Sequence, residues 1–322
     1  MSLISFQGDR YAALQGESVL DCLLRHGIAL SHSCKSGVCQ SCIVRATADA
    51  IPAKAQSGLR DTLRAQGYVL ACSFMPESDV EVALIDTELL RTRARIVDID
   101  SLNATVMRLR VRPEAPIEHR PGQYLNLVRD DGLVRSYSIA SVPEEDEDLC
   151  FHVALVANGR MSGWIHSGVA HGATIEILGP VGNCFYVPGA MEQPLFLAGT
   201  GTGLAPLFGI VRDALRRGHT GAIHLFHGSI RPEGLYLMDE LRALAAQYPN
   251  LRYYPCALQG EAEGVTCMTL DQLSLQTVPK LGGHKVYLCG HPDFVRMMQR
   301  KTFLAGASLS DIYADAFVPS PA

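Results

Sequence analysis

The chain has 322 residues, 48% hydrophobic and 19% charged, with a formal net charge of −5. At roughly 100–200 residues per domain this length suits two or three domains, and the mild acidity argues against nucleic acid, whose phosphates require clustered Lys and Arg. Ten cysteines in a chain read as cytoplasmic suggest reduced thiols rather than disulfides.

Residues 1 to 88 open on alternating Leu3, Ile4 and Phe6, which reads as a strand and not as a secretory signal. A helix around Ser18–Gly27 follows, then a cysteine-rich loop, then a strand at Val80–Ile85. In the loop, Cys34, Cys39 and Cys42 stand in C-x4-C-x2-C spacing, with Cys72 far downstream. This is the plant-type spacing for a 2Fe–2S cluster, whose potential lies near about −400 mV. Three thiolates can come from one tight loop if small residues such as Ser36, Gly37 and Ser41 let its amides turn toward the sulfurs. A zinc site is the alternative, although zinc usually takes paired C-x2-C knuckles and Cys72 has no such neighbour. The other six cysteines, Cys22, Cys150, Cys184, Cys256, Cys267 and Cys289, read mostly as small apolar side chains.

Residues 92 to 189 read as strands: Arg95–Asp100, Val106–Val111, Tyr124–Val128, Arg135–Ser138, Cys150–Val156 and Thr174–Leu178. Turn signals at Arg120-Pro121-Gly122, Asp130-Asp131-Gly132 and Leu178-Gly179-Pro180 separate them, as in an all-β barrel or sandwich. The acidic run Glu144–Asp148 is expected to be a solvated hairpin loop. Arg135, Tyr137 and Ser138 offer a flavin a cation, a flat surface and a hydrogen-bond donor in order. Pleating puts Ser138 on the opposite face from the other two, so the ring would have to approach where the strand ends. Gly159 and Ser162 are expected to form a turn into a helix at Gly163–Ser167, suited to a pyrophosphate. An Arg-x-Tyr-Ser tetrapeptide taken alone equally describes an ordinary exposed strand.

Residues 192 to 322 alternate strand and helix, which implies right-handed βαβ units and a parallel sheet. Strands are expected at Leu195–Ala198, Ile223–Phe226, Leu251–Tyr254, Val286–Cys289 and Asp311–Ala314. Helices are expected at Leu204–Arg217, Leu237–Gln247, Thr269–Leu275 and Asp293–Ala305. The uncharged stretch Pro194–Val211 is long enough to test as a membrane span, but four glycines and two prolines fit strand, loop and helix instead. Gly199-Thr200-Gly201-Thr202-Gly203 is a glycine-rich strand-to-helix turn of the kind that brings a dinucleotide phosphate to a helix N-terminus, though not a G-x-G-x-x-G fingerprint. Cys289 and Gly290 stand at the carboxyl end of a buried strand, where open α/β sheets bind ligands. A core cysteine is the other reading of Cys289.

In this order, with Arg120-Pro-Gly-Gln-Tyr124, Cys289-Gly-His-Pro292 and the closing Ile312-Tyr-Ala-Asp-Ala-Phe317, the motifs resemble the ferredoxin–NADP reductase superfamily over essentially the whole chain. With the cluster loop at the N-terminus, the chain is similar to reductase components of bacterial ring-hydroxylating oxygenases, of the naphthalene dioxygenase reductase type. The resemblance implies a multidomain α+β and α/β fold: a β-grasp ferredoxin domain, an antiparallel flavin-binding β-barrel and a Rossmann-like nucleotide domain. It implies FAD held by Arg135, Ser136, Tyr137, Ser138, Gly159, Met161 and Ser162, and a nicotinamide placed between Ser138 and Cys289 with Phe317 shielding the flavin. Residues 199–203, Arg231 and Gly290 would serve NADH, with NADPH usable because no acidic residue follows Gly228-Ser229. The expected partner is a terminal oxygenase or an intermediate ferredoxin, met by a cytoplasmic monomer away from membranes. A diiron monooxygenase or deoxysugar dehydratase system is an alternative partner, and a non-catalytic redox sensor is an alternative of another class. Two positions depart from the pattern: His291 replaces a usual Pro, and Gln40 replaces a usual small residue with the capacity to alter hydrogen bonding at the sulfurs.

Overall fold

The computed structural model describes residues 2–32, 34–37, 40–48, 50–84, 91–167 and 172–318. Cys39 and the expected strand end at Ile85 lie outside the described residues. The chain divides into two compact units, Met1–Glu88 and Leu89–Ala322.

The first unit has strands β1 (Leu3–Phe6) and β2 (Asp9–Ala12), helix α1 (Val19–Arg25), β3 (Ile43–Thr47), helix α2 (Asp61–Ala65), β4 (Tyr68–Leu70) and β5 (Val80–Ala83). They form a mixed sheet in the order β2-β1-β5-β3-β4, with β1 parallel to β5 and the other pairs antiparallel. Ser18 caps α1 by accepting from the Asp21 amide, which satisfies one of the free N–H groups of the first turn. Val19, Leu20 and Leu23 of the helix join Ile4, Phe6, Val44 and Val82 of the sheet in one core. This is the expected β-grasp arrangement.

The second unit opens with an antiparallel sheet: β6 (Arg91–Asn103), β7 (Val106–Pro113), β8 (Tyr124–Val128), β9 (Val134–Ser138), β10 (Leu149–Ala154) and, after helix α3 (Arg160–Ser167), β11 (Thr174–Val181). The order is β10-β7-β6-β11-β8-β9, and a bridge from Ile139 to Phe151 joins the two edges into a barrel. Two expectations change. Leu178-Gly179-Pro180 is no turn: β11 continues to Val181 across a register shift, with Gly179 at φ +130°. Helix α3 starts at Arg160 rather than Gly163, because the Ser162 hydroxyl accepts from Val156 N (3.1 Å), donates to Gly159 O (3.3 Å) and so closes the first turn itself.

A six-stranded parallel sheet follows: β12 (Leu195–Thr200), α4 (Leu204–Arg216), β13 (Ile223–Ser229), α5 (Met238–Gln247), β14 (Leu251–Ala257), β15 (Thr266–Cys267), α6 (Leu270–Thr277), β16 (Lys285–Gly290), α7 (Pro292–Leu304) and β17 (Ile312–Ala316). Its order is β15-β14-β13-β12-β16-β17, every pairing parallel. The uncharged stretch Pro194–Val211 becomes β12, the glycine turn and the start of α4, and among the described residues no helix is long and apolar enough to cross a membrane.

Barrel and nucleotide sheet meet in a buried polar seam. His152 Nδ1 lies 3.1 Å from the Tyr236 hydroxyl, and His227 Nδ1 lies 3.1 Å from the Tyr253 hydroxyl. Burial pushes both imidazoles down to about 3, so both are neutral in the folded protein. Unfolding releases them to titrate near 6.5. Their contribution to stability is therefore complete above about pH 6.5 and is lost as pH falls toward about 3, at up to one extra proton per histidine in the unfolded chain. Thermal unfolding followed between pH 7 and pH 4 should show a steep loss of stability, and a His152→Gln variant should show a shallower pH slope than the wild type. Parallel slopes would mean that His152 is not neutral in the fold.

Candidate functional site

The cluster loop is built by left-handed backbone. Lys35 (φ 51°), Gly37 (φ 78°) and Gln40 (φ 59°) all adopt positive φ, which costs a residue with a side chain about 1–2 kcal/mol. That conformation turns amides inward, and Ser36 N donates to Cys34 Sγ at 3.4 Å. Cys42 and Cys72 are buried and Cys34 is exposed. Amide donation to a sulfur, together with the thiol set, fits a thiolate cluster better than a buried apolar cysteine. The departure at Gln40 also has a physical account: its side-chain amide donates to Gly58 O at 2.9 Å and so anchors the loop.

At the barrel mouth, Ser138 ends β9 and is 7% exposed, while Arg135 and Tyr137 are half-buried. Arg135 has no carboxylate partner among the described residues and donates only to its neighbour's carbonyl, Val134 O, at 2.8 Å, leaving a cation suited to phosphate. Burial pushes the Tyr137 phenol up to about 12, so it is a neutral ring. Ser136 Oγ donates to Asn126 Oδ1 at 2.6 Å. Met161 is buried in the barrel core, and the Ser162 hydroxyl is engaged within its own turn, so any ligand contact from these two falls to the backbone. Gly159 is required by packing, since a Cβ there would lie 2.4 Å from Ser162 Oγ.

The carboxyl edge of the parallel sheet explains its glycines one by one. A Cβ on Gly203 would lie 2.3 Å from Cys289 O, and one on Gly290 would lie 2.5 Å from Thr200 Oγ1. These two residues let the loops after β12 and β16 touch. Thr200 Oγ1 then accepts from His291 N at 3.2 Å. Gly201 differs: its φ is +55° and a Cβ there would meet open space, so the turn is open to a ligand at Gly201. Thr202 sits half-buried beside it. Arg231 is exposed and has no ion pair among the described residues.

The structure brings Ser138 and Cys289 together through a residue that the sequence reading carried only inside its closing motif. Asp315, paired with Cys289 across β16 and β17, accepts from Ser138 Oγ at 3.0 Å. Burial raises its carboxyl above the usual range, with the Ser138 hydroxyl pulling the other way. Cys289 is fully buried, and its sulfur lies 3.8 Å from Cys184 Sγ. Burial and this neighbour push its thiol well up, so it is uncharged. Phe317 is half-buried and tied in by its amide, which donates to Gly290 O at 2.8 Å. Its position two residues beyond Asp315 was the available signal for the carboxylate.

Three family models match the chain: a 2Fe-2S iron-sulfur cluster binding domain at residues 6–77, an oxidoreductase FAD-binding domain at 94–186 and an oxidoreductase NAD-binding domain at 197–300. The chain is 33% identical over 312 residues to the ferredoxin–NAD(P)+ reductase component of the naphthalene 1,2-dioxygenase system of Pseudomonas putida, covering 94% of each. It is 30% identical over 322 residues to the reductase component DmpP of phenol 2-monooxygenase from Pseudomonas sp. strain CF600, covering 94% of this chain and 91% of the relative. The solved cytochrome P450 reductase GcoB of Amycolatopsis superposes with a TM-score of 0.70 at 27% identity over 99% of both chains. Fold, thiol loop and nucleotide edge thus define an NAD(P)H-dependent flavin iron–sulfur oxidoreductase. The chain belongs to the ferredoxin–NADP reductase superfamily, in the branch that joins 2Fe-2S, FAD and NAD domains in one polypeptide.

The glycine geometry separates two substitutions. Gly203→Ala would drive a methyl into the Cys289 carbonyl and part the two loops, so the KM for NADH should rise by about tenfold or more while FAD and cluster absorption persist. Gly201→Ala meets only backbone strain of about 1–2 kcal/mol, so its KM should change far less. Steady-state ferricyanide reduction measures both, and equal effects would show that the close approach at Gly203 is unimportant.

Proposed function

We propose that the chain is the reductase component of an aromatic-ring hydroxylating oxygenase system, passing electrons from NADH through FAD and the cluster to a terminal oxygenase or an intermediate ferredoxin. The observation that carries this reading is the full-length likeness to the naphthalene dioxygenase reductase component, joined to the convergence of Ser138, Asp315 and Cys289 at one place. When bound, the flavin takes up hydride as an electron pair and the cluster carries electrons singly.

The chain's own residues supply placement and electrostatics. Arg135 offers its unpaired guanidinium to the FAD phosphates, Tyr137 a neutral flat face, and Ser136, Gly159, Met161 and Ser162 the surrounding strand and turn. The 199–203 turn and Gly290 receive the nicotinamide nucleotide. Ser138 and Cys289, both small, would leave room for a nicotinamide beside the flavin, and Phe317 would cover the flavin. Asp315 holds the Ser138 hydroxyl in one orientation and accepts its proton's hydrogen bond. Cys34, Cys39, Cys42 and Cys72 would hold the irons. The absence of a carboxylate after Gly228-Ser229, with Arg231 unpaired, leaves NADPH usable beside NADH. A cytoplasmic monomer suits this role. The likeness to the phenol 2-monooxygenase component supports a monooxygenase partner as the second reading, and capture of one or the other from purified candidate oxygenases decides between them.

Purified protein should contain FAD and one 2Fe–2S cluster by flavin extraction and iron analysis; FMN or zinc would overturn the corresponding half. Removing a cluster thiolate should split the activities. In Cys72→Ser, ferricyanide reduction by NADH should persist, whereas cytochrome c reduction should fall sharply because that acceptor draws on the cluster. Equal loss of both would refute independent flavin and cluster halves.

A further inference from the structure

The acidic run Glu144–Asp148, expected to be solvated, has every carboxylate paired with an arginine. Arg112, on β7 of the barrel itself, takes Glu147 (3.0 Å) and Asp148 (2.6 Å). The other three reach across to α4: Glu144 to Arg216 (2.5 Å), and Glu145 and Asp146 to Arg212 (2.9 and 2.7 Å). Asp146 is fixed on the barrel side first, because Val142 N donates to its Oδ2 at 2.7 Å. Arg212 grips it with two nitrogens, Nη1 to Oδ2 at 2.7 Å and Nη2 to Oδ1 at 3.1 Å, with its guanidinium 5.3 Å from the Phe208 ring centre. The Arg212 side chain is 20% exposed, so this forked pair is less screened than a free surface ion pair and has a defined direction.

Direction matters because the other contacts of α4 with the barrel are apolar, among them Ile210, whose Cδ1 would lie 2.9 Å from a Cβ on Gly122, and Phe208, whose ring lies 6.3 Å from that of His152. At Gly209 the helix backbone lies directly on Pro121 and Ala140, where a Cβ would come within 2.9 and 3.0 Å. Apolar contacts of this kind set distance but carry no directional bond, which leaves the tilt of α4 about Gly209 to its ion pairs. The same helix carries the 199–203 turn at its N-terminus. Six residues separate Gly209 from Gly203, a lever of about 9 Å at 1.5 Å per residue. A tilt of about 6° would move the turn by about 1 Å, and a displacement of that size can slow a transfer on the order of 10²-fold.

We propose that Arg212 is a positioning residue for hydride transfer: by clasping Asp146 and Glu145 it sets the tilt of α4 on the barrel, and with it the separation of the nicotinamide turn and Cys289 from Ser138. The proposal rests on the reading that the nicotinamide lies between Ser138 and Cys289. Stopped-flow reduction of the flavin in the holoenzyme at saturating NADH tests it. Arg212→Gln should lower the limiting rate by about tenfold while FAD content and the cluster spectrum stay as in the wild type. Arg212→Lys, which keeps the charge but loses the fork, should fall between. Asp146→Asn should slow reduction like Arg212→Gln, and the double variant should be no slower than the slower single one. Added salt should slow the wild type but not Arg212→Gln. A wild-type limiting rate in Arg212→Gln, or single effects that multiply in the double variant, overturns the clasp. Should Arg212→Gln fail to retain FAD, Arg212→Lys and the salt dependence of the wild type decide: no slowing in either also overturns it. Cys289→Leu tests the underlying placement separately. If it reduces its flavin normally while Arg212→Gln is slow, the nicotinamide placement fails and the clasp stands.

Discussion

The nucleotide half depends on a contact that only glycine allows. The loop after β12 and the loop after β16 meet so closely that a Cβ on Gly203 would lie 2.3 Å from the Cys289 carbonyl, and one on Gly290 would lie 2.5 Å from Thr200 Oγ1. A third such contact lies on the barrel side, where a Cβ on Gly122 would lie 2.2 Å from the Cys184 carbonyl. Cys184 in turn meets Cys289 sulfur to sulfur at 3.8 Å. At these points barrel, connecting segment and parallel sheet therefore meet through backbone and small thiols. Close packing of this kind tolerates little change in volume, since interiors have almost no free space to take up a displaced atom.

The same closeness shapes the electrostatics. Ser138 from the barrel and Asp315 from the last strand share a hydrogen bond, and the carboxyl is raised by burial. Cys289 and Tyr137 are both held neutral by burial. The charges lie outside this centre: Arg135 on one side of the barrel mouth, and the Arg212 and Arg216 pairs on the flank of α4. Uncharged side chains at Ser138, Tyr137 and Cys289 suit transfer of a hydride, which is easily diverted by water or by a competing proton donor.

The cluster unit follows a different logic. Its loop spends backbone strain, with Lys35 and Gln40 in left-handed conformation, to turn amides toward sulfur. Gln40 tolerates the position because its side chain is tied to the Gly58 carbonyl. Strain at this loop is offset by a core in which α1 and the five-stranded sheet bury a continuous apolar face.

Much of this was legible in the sequence because it depends on local pattern. Period-two and helical alternation marked the barrel strands and, apart from the short edge strand β15, those of the parallel sheet with its helices to within a few residues, and cysteine spacing marked the cluster loop. The Arg135–Ser138 strand, the glycine turn and Cys289 were visible as motifs. What remained hidden depends on partners distant in the chain. Asp315 and Ser138 are 177 residues apart, so no spacing rule joins them. Glu144–Asp148 looks like a solvated loop until α4 brings Arg212 and Arg216 against it. Gly203 and Gly201 look alike in the string, yet one faces a carbonyl and the other open space. Sequence determined which elements form and which chemistry each carries, because backbone preference and side-chain type act locally. Only the tertiary structure decided which glycine locks, which carboxylate pairs and which hydroxyl meets Asp315, because those depend on distances that folding alone creates.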